Sequence, residues 1–306
     1  MNNEKISELP KNIYDRLEYI EFMLRFRGWV SRIDLTERFG IGEAAATRDI
    51  RQYREFAKSN LELNQSTKKY EIIESSFDPL FDLQISSAMS KLRTSRISDA
   101  LGMSEFDGIM CPPRISLPKV NFLSTITRSI SSKRPLHMVY RSIKNGRSDK
   151  TIRAHAIFDN GIHWYLRAFD ILKKEYRTYA LTRIVEVDID DNSEIDISTG
   201  GVNNDHQWNR MVSLELVPHP NTTNVKNPKT VEHDFNMKEG SLNINVRAVV
   251  AGYWLYHWSV DCTEDHSLQG YDYQLWLKNH PTLYDVESRN IAPGLSDYPY
   301  KKSSTK

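Results

Sequence analysis

Between Ser31 and Lys58 the sequence spells two helices joined by a sharp corner, and that corner limits the fold more than any other feature. Ser31 stands at an N-cap with Asp34 at N3, and Val30 is placed to staple onto Leu35. The helix so started ends at Phe39-Gly40, and the turn Gly40-Ile41-Gly42 leads into a third helix from Glu43 to about Lys58. Two helices at a tight, glycine-containing turn form a helix-turn-helix. Ahead of them, Ile13, Leu17, Ile20 and Leu24 repeat at helical spacing over residues 12–26, with Asn12 and Asp15 at capping-box positions. Behind them, Leu61-Glu62-Leu63 and Tyr70-Glu71-Ile72-Ile73 read as two strands around the polar loop Asn64 to Lys69, a wing.

At about 100° per residue, Ala46, Ile50, Tyr53, Phe56 and Ala57 fall on one side of the third helix, and Ala44, Thr47, Arg48 and Arg51 on the other. A helix entering the DNA major groove needs small residues near its start for close approach and long donors further along for base edges. Ala44, Ala45, Thr47, Arg48, Arg51 and Gln52 follow that order, while Arg54, Lys58, Lys68 and Lys69 are placed for phosphates. The competing reading is a solvated helix face, and Glu55 shares that face. Residues 1–75 hold 13 Lys or Arg and 13 Asp or Glu, so the head as a whole is not basic. That balance favours two heads acting together on a selected sequence over nonspecific binding by one.

The chain's 306 residues exceed what one core organises, and the hydrophobic pattern changes after the wing. Residues 76–120 read as a connector, helical from Leu80 to about Leu92 and broken at Cys111-Pro112-Pro113. A helix with Phe122, Ile126 and Ile130 on one face then precedes strand-like segments at 136–142, 151–158, 163–169, 175–179 and 183–189. Asn145-Gly146 and Asn160-Gly161 carry hairpin-turn chemistry, and short strands at this spacing predict a small β-barrel. Strands over 210–217 and 241–246 and a helix near Ala248 to Ser259 follow a polar stretch at 190–205. The fold class expected is α+β, divided into 1–75, 76–120, 121–195 and 196–306.

In Asn160-Gly161-Ile162-His163-Trp164-Tyr165-Leu166-Arg167, the triplet Trp164-Tyr165-Leu166 follows a hairpin turn. Val139-Tyr140-Arg141-Ser142 lies upstream, Arg153 precedes Phe158, and Tyr179-Ala180-Leu181-Thr182-Arg183-Ile184 lies downstream. In this order the chain resembles the WYL-domain family of bacterial transcriptional regulators, most nearly the repressors found beside anti-phage defence operons of the BREX and CBASS type. The resemblance implies an Sm-like, SH3-type barrel over 121–190, a homodimer joined through an α/β C-terminal extension, and a nucleotide or nucleic-acid fragment as ligand. Ala154-His155-Ala156 stands where the family commonly has a Pro after the matching Arg.

Strand alternation puts His163, Tyr165 and Arg167 on one face and Trp164, Leu166 and Ala168 on the other, the second set being core. Arg153 and Arg183 join the first face from neighbouring strands, and Tyr140 and Ser142 complete the candidate ligand set. Guanidinium groups bind phosphate in a fork, so such a face suits an anion; the alternative is pairing with nearby Asp or Glu.

No Gly-x-x-x-x-Gly-Lys-Ser/Thr, Gly-x-Gly-x-x-Gly or Gly-x-Ser-x-Gly run is present, and His257, Cys262 and His266 lack zinc-site spacing. No catalytic residue, cofactor or metal is therefore expected; a nucleic-acid-processing enzyme or accessory factor of a defence system is the alternative, and a scaffold whose helix-turn-helix contacts only protein is a third. The longest apolar run, Ala248 to Tyr256, is far short of the roughly 20 residues that cross a bilayer. With two cysteines and no signal-peptide pattern at the start, a cytoplasmic location is expected, with a double-stranded inverted-repeat operator as partner and no membrane.

Overall fold

A computed structural model describes residues 6, 8–83, 88–90, 112–190 and 200–295. They fall in two compact units, Met1–Pro113 and Arg114–Lys306. Among the described residues no helix is long and apolar enough to cross a membrane.

The first unit contains α1 (Lys11–Arg27), β1 (Trp29–Val30), α2 (Arg32–Phe39), α3 (Glu43–Phe56), β2 (Leu61–Leu63) and β3 (Tyr70–Ile72). The cap of α2 forms as the sequence predicts: Asp34 Oδ2 accepts the Ser31 N–H at 2.6 Å and its hydroxyl at 2.7 Å. Val30 and Leu35, the expected staple, are both fully buried. The helix stops where Gly40 turns left-handed (φ 63°), a conformation costly for any side chain. Leu17, Ile20, Met23, Leu24, Ile50, Tyr53 and Leu61 close the core, each burial contributing roughly 1.5–3 kcal/mol. Two local expectations are corrected. Helix α1 starts one residue early behind Pro10 (φ −52°), so Asn12 lies inside the helix and caps nothing. Trp29 and Val30, for which the sequence suggests no strand, pair with Glu71 and Tyr70 and add a third strand to the wing.

Of the expected connector helix, residues 80–83 are not helical, 88–90 are, and 84–87, 91 and 92 lie outside the described residues.

In the second unit α4 (Val120–Ser132) packs on an antiparallel sheet of β4 (Leu136–Ser142), β5 (Gly146–Asp159), β6 (Trp164–Asp170), β7 (Glu175–Ala180) and β8 (Ile184–Ile189). Its order is β7-β6-β5-β4-β8. The expected barrel does not close among the described residues: β8 leaves the turn at Leu181–Arg183 to pair with β4, so β7 and β8 end as opposite edges. One extra residue, His155, bulges from β5 between Ala154 and Ala156, at the place where the sequence departs from the family's Pro.

The chain continues through α5 (His206–Asn209), β9 (Met211–Pro218), α6 (Pro228–Asp234), β10 (Leu242–Arg247), α7 (Ala248–His257), β11 (Val260–Asp261) and β12 (Leu275–Leu277). The second sheet runs β10-β9-β12-β11 and packs on α7, whose residues Ala248 to Gly252 and Leu255 are buried. Phe158 belongs to this core and Tyr165 packs against it, so both faces of the β5–β6 ladder are covered.

Candidate nucleic-acid interface and ligand face

Helix α3 divides as its periodicity predicts. Ala46, Ile50 and Tyr53 are buried, and Ala44, Thr47, Arg48, Arg51 and Arg54 are exposed, with Ala45 and Gln52 half-buried; the helix ends at Phe56 rather than Lys58, which is exposed in the turn that follows. The buried side is held by polar contacts that sequence alone did not reveal. Arg16 Nε on α1 meets Asp49 Oδ2 on α3 at 2.6 Å, and the Tyr53 hydroxyl donates to Glu21 Oε2 at 3.1 Å. The same Glu21 carboxylate accepts the backbone N–H groups of Leu80 and Phe81 at 2.9 and 3.2 Å. Burial raises the Glu21 carboxyl above its ordinary value, a shift that these hydrogen bonds partly offset. The helix is thus fixed by its inner face and free on its outer one.

On the outer face, Thr47 is exposed and gives its hydroxyl hydrogen to the Glu43 carbonyl. Arg51 is 81% exposed, and Glu55 holds its Nε at 3.2 Å, leaving both terminal amino groups of the guanidinium outside that contact. In the wing, Lys68 is exposed, whereas Lys69 Nζ lies 3.5 Å from the centroid of the Trp29 ring. Arg27 Cζ lies at the same 3.5 Å, and its guanidinium also grips Asp34 at 2.6 and 2.9 Å. Two cations this close to one centroid fit only on opposite faces of the indole. Trp29 and Arg27 went unmarked in the sequence because a lone Trp beside a Gly carries no motif.

The ligand residues do not converge on one open face. Alternation along β6 holds: Leu166 and Ala168 are fully buried and Trp164 packs beside them. The other face is covered. Tyr165 stacks on Phe158 at 5.3 Å and meets Tyr253 at 4.9 Å. Arg167, 1% exposed, sends Nε and Nη2 to Asp205 at 2.7 and 3.0 Å and Nη1 to Glu287 at 3.0 Å. Burial opposes ionisation of Asp205, yet hydrogen bonds from His155 and Arg167 hold its carboxyl well below the ordinary range. His163 Nδ1 is bonded to Ser116 Oγ at 2.8 Å. Tyr140 turns into the opposite core and accepts the Ala180 N–H, and Ser142 Oγ accepts the Asn145 N–H of its own turn. Arg183 is half-buried in the turn before β8, and Arg153 is buried in β5. The arrangement expected as an open cationic patch is largely an internal ion network, because the segment around Asp205 and Glu287 lies over it.

Three family models match in succession: the BrxR transcriptional regulator winged helix-turn-helix domain over residues 12–93, the WYL domain over 121–189, and the BrxR transcriptional regulator C-terminal dimerization domain over 211–283. The chain is similar to proteins named DNA-binding transcriptional repressor CapW. The Pseudomonas aeruginosa relative is 29% identical over 285 residues, covering 89% of this chain and 90% of the relative. That of Escherichia coli is 27% identical over 277 residues, covering 88% and 90%. Among solved structures, proteasome accessory factor B/C of Arthrobacter aurescens aligns with 87% of this chain and 46% of its own, at 14% identity and a TM-score of 0.23. The three models in this order, together with relatives matched along nearly their whole length, give the chain the domain order of a WYL-domain transcriptional regulator: a winged helix-turn-helix, a WYL domain and a C-terminal dimerization domain.

Proposed function

We propose that the protein is a DNA-binding transcriptional repressor that acts as a homodimer on an inverted repeat, controls a phage-defence operon and responds to an anionic ligand through its WYL domain. The observation that carries the reading is α3: its inner face is locked by Asp49 and Tyr53, and its outer face presents Arg48, Arg51 and Arg54 to solvent, with Lys58 exposed just past its end. An arginine with a free terminal fork binds guanine O6 and N7, and each such pair discriminates by roughly 1–3 kcal/mol. The C-terminal dimerization model and the CapW relatives support two heads. Twofold symmetry then sets half-sites about one helical turn, or a multiple of it, apart.

The test is a footprint and gel shift on DNA upstream of the protein's own gene. A protected inverted repeat supports the reading, and a footprint over a single half-site refutes the dimer. Arg51→Ala is expected to weaken operator binding roughly tenfold to a hundredfold at matched salt. Its melting temperature should stay within about 3 °C of wild type, because an exposed i,i+4 pair such as Arg51–Glu55 contributes only about 0.3–0.5 kcal/mol. Unchanged operator affinity would remove Arg51 from the reading set.

A further inference from the structure

The bulge in β5 brings His155 to the wall of a cavity of about 380 Å³. Its side chain is 7% exposed, and its Nε2 is bonded to Asp205 at 3.0 Å. Its Nδ1 is buried and has no hydrogen-bond partner among the described residues. A buried polar atom left unpaired is unfavourable, so this nitrogen is placed to bond a molecule in the cavity. Arg153, 5% exposed, lines the same cavity, as does Lys133, exposed at the left-handed end of α4. Ile130 and Val202 add apolar wall, and Gly200 brings the chain in close. Gly200 has φ 73°, and a Cβ there would meet the Phe169 ring at 2.4 Å, so the wall requires glycine. The described lining thus holds three basic side chains and no carboxylate.

We infer that this cavity binds a small phosphorylated molecule of mononucleotide size, its phosphate held by Lys133, Arg153 and His155. The basic groups select an anion, and a phosphate monoester offers enough oxygens to meet all three. The volume falls in the range of small-molecule sites, and a bare phosphate ion would leave most of it and the Ile130–Val202 wall unused. With Nε2–H donated to Asp205, a neutral imidazole accepts at Nδ1 from a ligand O–H or N–H; a protonated one donates to a phosphate oxygen. Of the seven residues the sequence marked for a ligand, only Arg153 lines this cavity. Its occupant would reach the rest of the unit through one chain of contacts: His155 to Asp205, Asp205 to Arg167, Arg167 to Glu287.

The inference names a site for the ligand response proposed above, but it is tested by binding alone. Adenosine 5′-monophosphate is titrated calorimetrically into the full-length protein, with adenosine as the probe that lacks phosphate. The monophosphate should bind, and adenosine should bind at least roughly tenfold more weakly. His155→Gln places its amide nitrogen near the former Nε2, keeping the bond to Asp205 while removing Nδ1. This variant and Lys133→Met should each weaken the monophosphate by roughly tenfold or more, while Lys229→Gln, exposed on α6 and outside the cavity, leaves it unchanged. Lys133 is exposed, so Lys133→Met keeps the test valid if His155→Gln fails to fold. Equal binding by wild type and Lys133→Met, equal affinity for both probes, or no heat up to about 10 mM would each overturn the site, the last meaning that the cavity holds only water. Operator affinity measured with and without the monophosphate is a separate readout. Tight binding with unchanged operator affinity would refute the ligand response and leave the site standing.

Discussion

Arg167→Ala is expected to lower the stability of the second unit by about 3–5 kcal/mol, a fall in melting temperature of roughly 10 °C. The change leaves Asp205, 1% exposed, as a buried carboxylate with only His155 and the Trp208 N–H as partners. Losing one member of a buried pair costs more than the pair contributed, because the survivor keeps its desolvation penalty. Thermal denaturation at neutral pH checks this. An unchanged melting temperature, with altered response to a nucleotide, would return Arg167 to the role its sequence position suggested. The pH dependence has a definite sign. The Asp205 carboxyl is depressed in the folded protein, so its contribution is complete above its ordinary value of 3.8 and is lost as pH falls below it. Wild type and Arg167→Ala should therefore differ most near neutrality and converge in strong acid.

The second large effect is expected at Gly252, inside α7. A Cβ there would lie 1.7 Å from the Ser288 carbonyl oxygen, and the Gly252 N–H donates to Ser288 Oγ at 2.9 Å. The obstacle is backbone, and the surrounding helix is buried, so no flexible side chain can move aside. Gly252→Ala should cost about 3 kcal/mol or more, against the 1–3 kcal/mol of ordinary overpacking. Because Gly252 lies within the stretch matched by the dimerization model, operator binding should fall with it. Gly201→Ala is the control, since its Cβ meets nothing within 4 Å and its φ is −66°. Size-exclusion chromatography and thermal melts of both variants decide the matter: equal profiles would mean that α7 and Ser288 do not pack as described.

Local order was legible in the sequence and long-range pairing was not. The staple of Val30 on Leu35, the cap by Asp34 and the two faces of α3 depend on residues within one or two turns, where spacing dictates geometry. The two-residue strand Trp29–Val30 is too short to leave a periodic signature, and it exists only because β3 passes beside it. The ion pairs that cover Arg167 were not legible for a related reason. Alternation placed Arg167 on the correct side of β6, but its partners lie 38 and 120 residues further along, and no spacing rule connects them. Equally, five strands at regular intervals predict a sheet, while closure into a barrel requires β8 to pair with β7 as well as with β4, which periodicity leaves open. The bulge at His155 sits where the family's Pro is missing, so the sequence marked the place without giving its geometry.

The indole of Trp29 gives the wing a further property. Lys69 already has a favourable neighbour in that ring, and a cation over an aromatic face gains about 0.5–2 kcal/mol. To grip a phosphate, the ammonium must give up part of that interaction, so its net reward is a difference between two attractions. Lys68, one residue earlier and exposed at φ 57°, donates only a long hydrogen bond to Gln65 Oε1 at 3.4 Å, which is exposed to water and weaker than the contact with the ring. Two adjacent lysines of equal charge are therefore unequally available to an incoming anion: one is held only by an exposed glutamine, and the other must first leave the face of an indole.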